Sequence, residues 1–175
     1  ANDAYSFIRT AERIVNLGYG EINLNLGCPS KTVVSKKKGA GFLEFPHKLD
    51  SFLEEVCRWT EKEGVRFSVK TRLGMCEEEE FGPILEIYNQ YPLCEVILHP
   101  RTQDDYYVRP VHEGVFERFK KISKNPLVYN GDLFDENRLR MFFRGNPEED
   151  AVMIGRGLLM HPGMKMPGNP GETVF

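Results

Sequence analysis

Cysteine is scarce in this chain and falls in no pattern. Cys28, Cys57, Cys76 and Cys94 are the four among 175 residues, and no two of them form a CxxC pair, so neither a disulfide scaffold nor a thiol-rich metal site is implied. No apolar run is long enough for a secretory signal or a membrane span. The chain reads as a reduced, cytoplasmic protein with no membrane and no metal among its partners. A formal net charge of −3 excludes a uniformly basic nucleic-acid binder, although positive charge can still gather locally. Its densest gathering is Lys31, Lys36, Lys37 and Lys38, and a lysine run taken alone is most often a solvated loop. No GxGxxG turn follows the first strand, which lowers the case for a dinucleotide-binding fold.

What is present is a serial alternation of elements within a length and a 41% apolar content that suit one ordinary domain. Phe7, Ile8, Ala11, Ile14 and Val15 recur at helical spacing over residues 4–17, and Gly18 and Gly20 stop that helix before a strand at 21–26. A loop of lysines and glycines follows. Pro46 then opens a helix in which Leu49, Phe52, Leu53, Val56, Cys57 and Thr60 share one face, with Gly64 as its cap. The strand "VRFSVKTRLG", the helix "EEEEFGPILEIYNQYP" and the strand "CEVILHPR" come next. Gly82-Pro83 blurs where that helix starts. "EGVFERFKKIS" and "DENRLRMFF" read as helices around the strand "NPLVYNGD", and "EDAVMIGRG" reads as a fifth strand. Short β-branched runs between helices indicate parallel strands covered on both faces.

Serial βα units build either an open doubly wound sheet or a closed barrel. The strand ends favour the barrel. Asn25 and Cys28 close the first strand, Lys70 and Arg72 the second, and His99 and Arg101 the third. Asn130 and Asp132 close the fourth, and Gly155 and Arg156 the fifth. In a parallel barrel such ends meet at one mouth, so the spacing predicts a single pocket. Gly131, Gly155 and Gly157 would let backbone amides approach a phosphate, with Arg156 adding charge. Lysine and histidine near a ring system suit a flavin, but spacing alone leaves open a Schiff-base aldolase working through Lys70. Cys57 and Cys94 read as packing residues, and Cys76, beside an acidic run, has no assigned role.

The ordered motifs "NLGCPS", "KTRLG", "HPRT", "NGD" and "MIGRG" resemble those of the tRNA-dihydrouridine synthases, FMN-dependent enzymes that reduce uridine in tRNA. The resemblance runs from about Asn23 to Gly157. It implies a TIM-type (β/α) barrel binding FMN, with NADPH or NADH as reductant and tRNA as partner. Carried over by position, it implies that Cys28 is the general acid that protonates carbon 5 of uracil while hydride from flavin nitrogen 5 reaches carbon 6. It makes Lys70 and His99 flavin contacts and puts Asn130, Gly131, Asp132, Gly155 and Arg156 at the flavin phosphate. Asn25, Arg72 and Arg101 then lie near flavin or uracil, and Lys36, Lys37 and Lys38 belong to a mobile basic flap over substrate.

The chemistry agrees with that placement. Hydride addition builds negative charge on the ring, and a positioned acid traps it. A cysteine thiol ordinarily titrates near ~8.5 and is therefore mostly protonated at neutral pH unless cations depress it. A stacked uridine must also be turned out to reach the pocket. The flap and Arg109 are candidates to hold phosphates, and Tyr106 and Tyr107 are stacking candidates. A closed barrel needs eight strands and five are legible, so the chain reads as part of a barrel over 1–160. Residues 161–175, rich in Gly and Pro, have no helical period and form a tail to which the sequence assigns no structure. The remaining alternatives are a flavin barrel acting on a small molecule such as a free pyrimidine, and a fragment without catalysis.

Overall fold

The structure, a computed structural model, describes residues 1–165. Helix α1, Ala4–Asn16, starts at Asp3, whose carboxylate accepts the Ser6 N–H. Strand β1 is Glu21–Leu26, followed by a short helix α2, Lys31–Val34, and a 3-10 turn, Gly39–Phe42. Helix α3, Pro46–Glu63, buries Leu49, Phe52, Leu53, Val56, Cys57 and Thr60 on one face. Each buried aliphatic or aromatic side chain of that face contributes on the order of 1.5–3 kcal/mol. Gly64 ends the helix at φ 67, a left-handed conformation that glycine adopts without strain.

Strand β2, Arg66–Arg72, leads through a 3-10 turn, Glu78–Glu80, into helix α4, Phe81–Tyr88. The blurred start at Gly82-Pro83 resolves as this two-part helix. Glu77 and Glu80 form a capping box on the 3-10 turn, and Pro83 falls within the first turn of α4, where its missing N–H costs nothing. Strand β3 is Glu95–His99, α5 is Val115–Lys120 and β4 is Leu127–Tyr129; helices α6, Glu136–Gly145, and α7, Arg156–Met160, follow.

The strands stand in the order β1-β2-β3-β4, with β1–β2 and β2–β3 parallel. Parallel strands in sequence order with a helix in each connection are the βα units of a barrel, since an open doubly wound sheet would break that order. Register sets the faces. Asn25 pairs with Lys70, Lys70 with Ile97, and Arg72 with His99, so Asn23, Asn25, Ser68, Lys70, Arg72 and His99 share one face. Ile22, Leu24, Leu26, Phe67, Val69, Val96 and Leu98 are buried on the other, the side that the helices cover. Ala11, Ile22 and Val65 cluster there with Phe7, Ile14, Val15 and Trp59.

Two compact units divide the chain, one over Ala1–Leu127 and one from Val128 onward. Where composition suggests one core, the apolar residues past Leu127 build a cluster of their own: Leu133, Leu139 and Met164 with Tyr129, Phe142, Phe143, Val152 and Ile154. Burial of Met164 draws the first residues of the Gly/Pro-rich tail into this unit; residues 166–175 of the tail lie outside the described residues.

The expected fifth strand is reduced to one parallel bridge, Tyr129 to Val152. Met153 N–H donates to Tyr129 O at 2.9 Å, but the Asn130 side-chain amide takes the Met153 carbonyl at 2.7 Å in place of a ladder partner. Helix α7 then begins at Arg156, which leaves no extended backbone to continue the pairing.

Candidate active site

The turn after β1 is tightly specified. Asn25 Oδ1 accepts the Gly27 N–H at 2.9 Å, an Asx-type bond that bends the chain out of the strand. Cys28 follows, half-buried, with its thiol free. Beneath it lies Gly39 at φ 55, where a Cβ would stand 2.7 Å from the Cys28 carbonyl oxygen and 2.9 Å from its Cβ. Only glycine fits there. Ala40 N–H donates to the same Cys28 carbonyl at 3.0 Å.

The basic segment is therefore not a loose flap. Lys31 heads α2, Ala40 and Phe42 are buried, and the Lys36, Lys37 and Lys38 amides all bond to carbonyls of Val33 or Val34. These three lysines are exposed. Lys37, at φ 54, lays its ammonium 4.8 Å from the centre of the Phe45 ring, a cation–π contact. The two valines and the buried Gly-Ala-Gly-Phe turn supply the packing that holds the segment down, a role its lysine content hides.

Lys70 is close enough to Cys28 for the two to interact electrostatically, with no carboxylate in ion-pair range among the described residues. Burial first, and then the nearby Arg72 charge, pull its ammonium down to about 8, with Cys28 opposing them. An unpaired, half-buried cation of this kind suits an anionic or electron-rich ligand group. His99 and Arg101 are buried side by side, with Arg101 Nη1 3.2 Å from His99 Nε2 and Arg101 Nε donating to Arg109 O at 2.7 Å.

Arg72, which the resemblance puts near flavin or uracil, is fully buried. Its Nε donates to Gly27 O at 2.9 Å, Nη1 to Thr102 O at 2.7 Å and Nη2 to Tyr106 O at 2.8 Å. The Tyr107 ring covers the guanidinium at 4.9 Å. One rigid fork thus ties the turn at Cys28 to the loop after β3. That loop reaches back as well: Gln103 Nε2 donates to Pro29 O at 3.2 Å, and Tyr106 Oη accepts the Lys31 N–H at 3.0 Å. Tyr106, a candidate for stacking, is thereby engaged in holding the turn.

Thr102, Gln103, Asp105 and His112 go unmarked in the sequence reading. The spacing Thr102-x-x-Asp105 was a usable signal, because it is the spacing at which an acidic side chain folds back onto a local N–H. Cys57 is buried on α3 with its thiol pushed up to about 12 by burial, in keeping with a packing role. Cys76 is exposed and Cys94 half-buried.

Residues of the second unit form their own cluster. Asp132, at φ 46, accepts from Arg156 Nη2 at 2.6 Å, so its carboxylate holds an arginine. Gly157 serves packing, since a Cβ there would overlap the Leu133 carbonyl. Gly155 has open space around it, and Gly131 is buried.

No described helix is long and apolar enough to cross a membrane. Among the described residues no group of three or more His, Cys, Asp or Glu side chains could hold a metal ion.

The family model for dihydrouridine synthase (Dus) matches residues 1–167. The chain belongs to the dihydrouridine synthase family. It is 30% identical over 161 residues to a probable tRNA-dihydrouridine synthase of Staphylococcus aureus strain Mu50, covering 89% of this chain and 48% of that protein. It is 30% identical over 148 residues to a tRNA-dihydrouridine(16) synthase of Aquipseudomonas alcaligenes, covering 85% and 46%. A tRNA-dihydrouridine(16) synthase of Pseudomonas syringae pv. tomato is 29% identical over 161 residues, covering 92% and 50%. The chain thus spans about half the length of the curated relatives it matches. Membership in this family makes the four-stranded sheet part of a TIM-type barrel.

Proposed function

We propose that the protein reduces uridine in tRNA to 5,6-dihydrouridine in the cytoplasm, using FMN and a nicotinamide reductant, NADPH or NADH. The observation that carries this reading is the half-exposed Cys28 thiol beside the unpaired Lys70 ammonium at the ends of β1 and β2, in a chain of this family. The donor set fits the cofactor: an ammonium without a carboxylate partner suits the anionic edge of a flavin. Bound FMN would supply the hydride.

The chain's own residues do the rest. Cys28 Sγ delivers the proton to carbon 5 of the base. Lys70 and His99 hold the cofactor ring; Asn25, whose NH2 has no partner among the described residues, and Arg101 orient the base. Asn130, the backbone at Gly131 and Gly155, and Arg156 serve the phosphate, with Asp132 aiming Arg156. Arg72 acts by holding the Cys28 turn and touches no substrate. The exposed Lys36, Lys37 and Lys38 favour a polyanion such as tRNA over a free pyrimidine, and they hold phosphates outside the pocket.

Incubation with unmodified tRNA, FMN and NADPH, followed by mass analysis of the nucleosides, tests this. A gain of two hydrogens on uridine is the expected result, with Cys28→Ala binding and reducing flavin normally but turning over tRNA poorly. Normal turnover by Cys28→Ala removes the proton-donor role, and reduction of free uridine without tRNA replaces the substrate.

A further inference from the structure

His112 lies in the connection between β3 and α5 and meets a carboxylate at each ring nitrogen. Nδ1 is 2.8 Å from Glu78 Oε2 and Nε2 is 2.9 Å from Asp105 Oδ2. A neutral imidazole has one N–H and would leave one of these contacts between two lone pairs; only the imidazolium donates to both. The surroundings are charged on every side. Glu78, on the 3-10 turn before α4, also pairs with Arg118 of α5 at 3.1 Å. Asp105, almost fully buried, accepts from Arg109 at 3.4 Å and from both the N–H and the hydroxyl of Thr102 at 2.7 and 2.8 Å. Arg72 is close enough to Asp105 for that carboxylate to favour its charge.

From this bridge a continuous set of hydrogen bonds runs to Cys28. Asp105 holds Thr102, the Thr102 carbonyl accepts from Arg72, and Arg72 donates to the carbonyl of Gly27. Gln103 and Tyr106 of the same loop bond directly to Pro29 and Lys31. Both sides of the cysteine are therefore held from the loop that His112 fastens.

We propose that His112 is a positioning residue: its imidazolium, bridging Asp105 and Glu78, holds the loop after β3 closed and through that loop fixes the turn that carries Cys28. The proposal rests on the reading of Cys28 as proton donor for its consequence in turnover, but not for its structural content. Burial by itself would lower the His112 pKa; the hydrogen bonds to Glu78 and Asp105 and their charges outweigh it and raise it. The sign follows. A His raised in the folded state favours the closed loop fully below its unfolded value of ~6.5, and that contribution fades as pH rises through the raised value.

Hydrogen exchange read by mass spectrometry on the whole protein, without flavin or tRNA, tests the link. His112→Gln should speed exchange by about tenfold, the scale of a lost charged hydrogen bond, both in 100–112 and in 27–34. Glu78→Gln should do the same to a smaller extent. The wild type, corrected for intrinsic exchange, should loosen in both segments as pH rises through the His112 titration followed by NMR, while His112→Gln shows no such step. Loosening of 100–112 with 27–34 unmoved overturns the proposal, as does a His112 that titrates at or below ~6.5. Should the variants not fold, the wild-type titration decides alone. Failure of tRNA reduction with the exchange pattern intact sinks only the functional reading; where that reading holds, kcat of His112→Gln should fall below wild type on the acid side of the His112 titration, where the imidazolium bridge is fully formed, with KM little changed.

Discussion

Arg72 Nε lies 2.9 Å from the carbonyl oxygen of Gly27, the residue that precedes Cys28. With the bonds to Thr102 and Tyr106, this makes Arg72 a hub for two loops. Arg72→Gln strips donors from buried carbonyls, at about 1–3 kcal/mol each. Urea unfolding of the ligand-free protein should show a loss of at least about 2 kcal/mol. An Arg72 that merely met substrate would leave that curve unmoved and change only turnover.

Gly39→Ala brings a methyl group against Cys28 at a backbone angle that only glycine takes cheaply. The left-handed conformation alone costs about 1–2 kcal/mol for an L-residue. A melting temperature lower by several degrees should accompany faster alkylation of Cys28 by iodoacetamide, read at the peptide level, while α3 and its Gly64 cap remain intact by circular dichroism.

Lys70 titrates near 8 in the fold and near ~10.4 unfolded. Between those values the unfolded chain binds the extra proton, so stability of the flavin-free protein rises with pH across that window. Lys70→Met should abolish this rise and increase the neutral-pH midpoint, while weakening FMN binding in a titration of flavin fluorescence. A variant that binds FMN as tightly as wild type removes Lys70 from the cofactor site.

Lys36 and Lys38 are exposed and form no ion pair among the described residues, although Asp3 feels the Lys38 charge. Replacing both with Gln should reduce the slope of log K against log salt for tRNA by about 0.7–0.9 per lysine that meets a phosphate. Filter binding over a salt series measures it. An unchanged slope moves the tRNA contact elsewhere.

Much of this architecture is legible without coordinates. The buried face of α3 follows from its spacing, and the sequential βα order follows from short branched runs between helices. Cys28, Lys70 and Asn25 are grouped by one rule, that parallel strand ends share a rim. Arg72 escapes that rule because a strand end tells where a side chain starts and not where a long one finishes; its fork turns onto carbonyls from two other loops. His112 escapes because Glu78, 34 positions away, gives no local sign of the pairing. The fifth strand is misread because an asparagine side chain takes the carbonyl that a ladder would use, and no hydrophobic pattern records that.

Tyr106 holds a backbone angle of φ 53, where glycine would sit more easily. Its hydroxyl on Lys31 and its carbonyl on Arg72 oppose the release of that torsion, so the loop is cocked like a sprung catch. Any group that lifted Lys31 away from the phenol would remove one of the two restraints that hold this peptide unit in its left-handed turn.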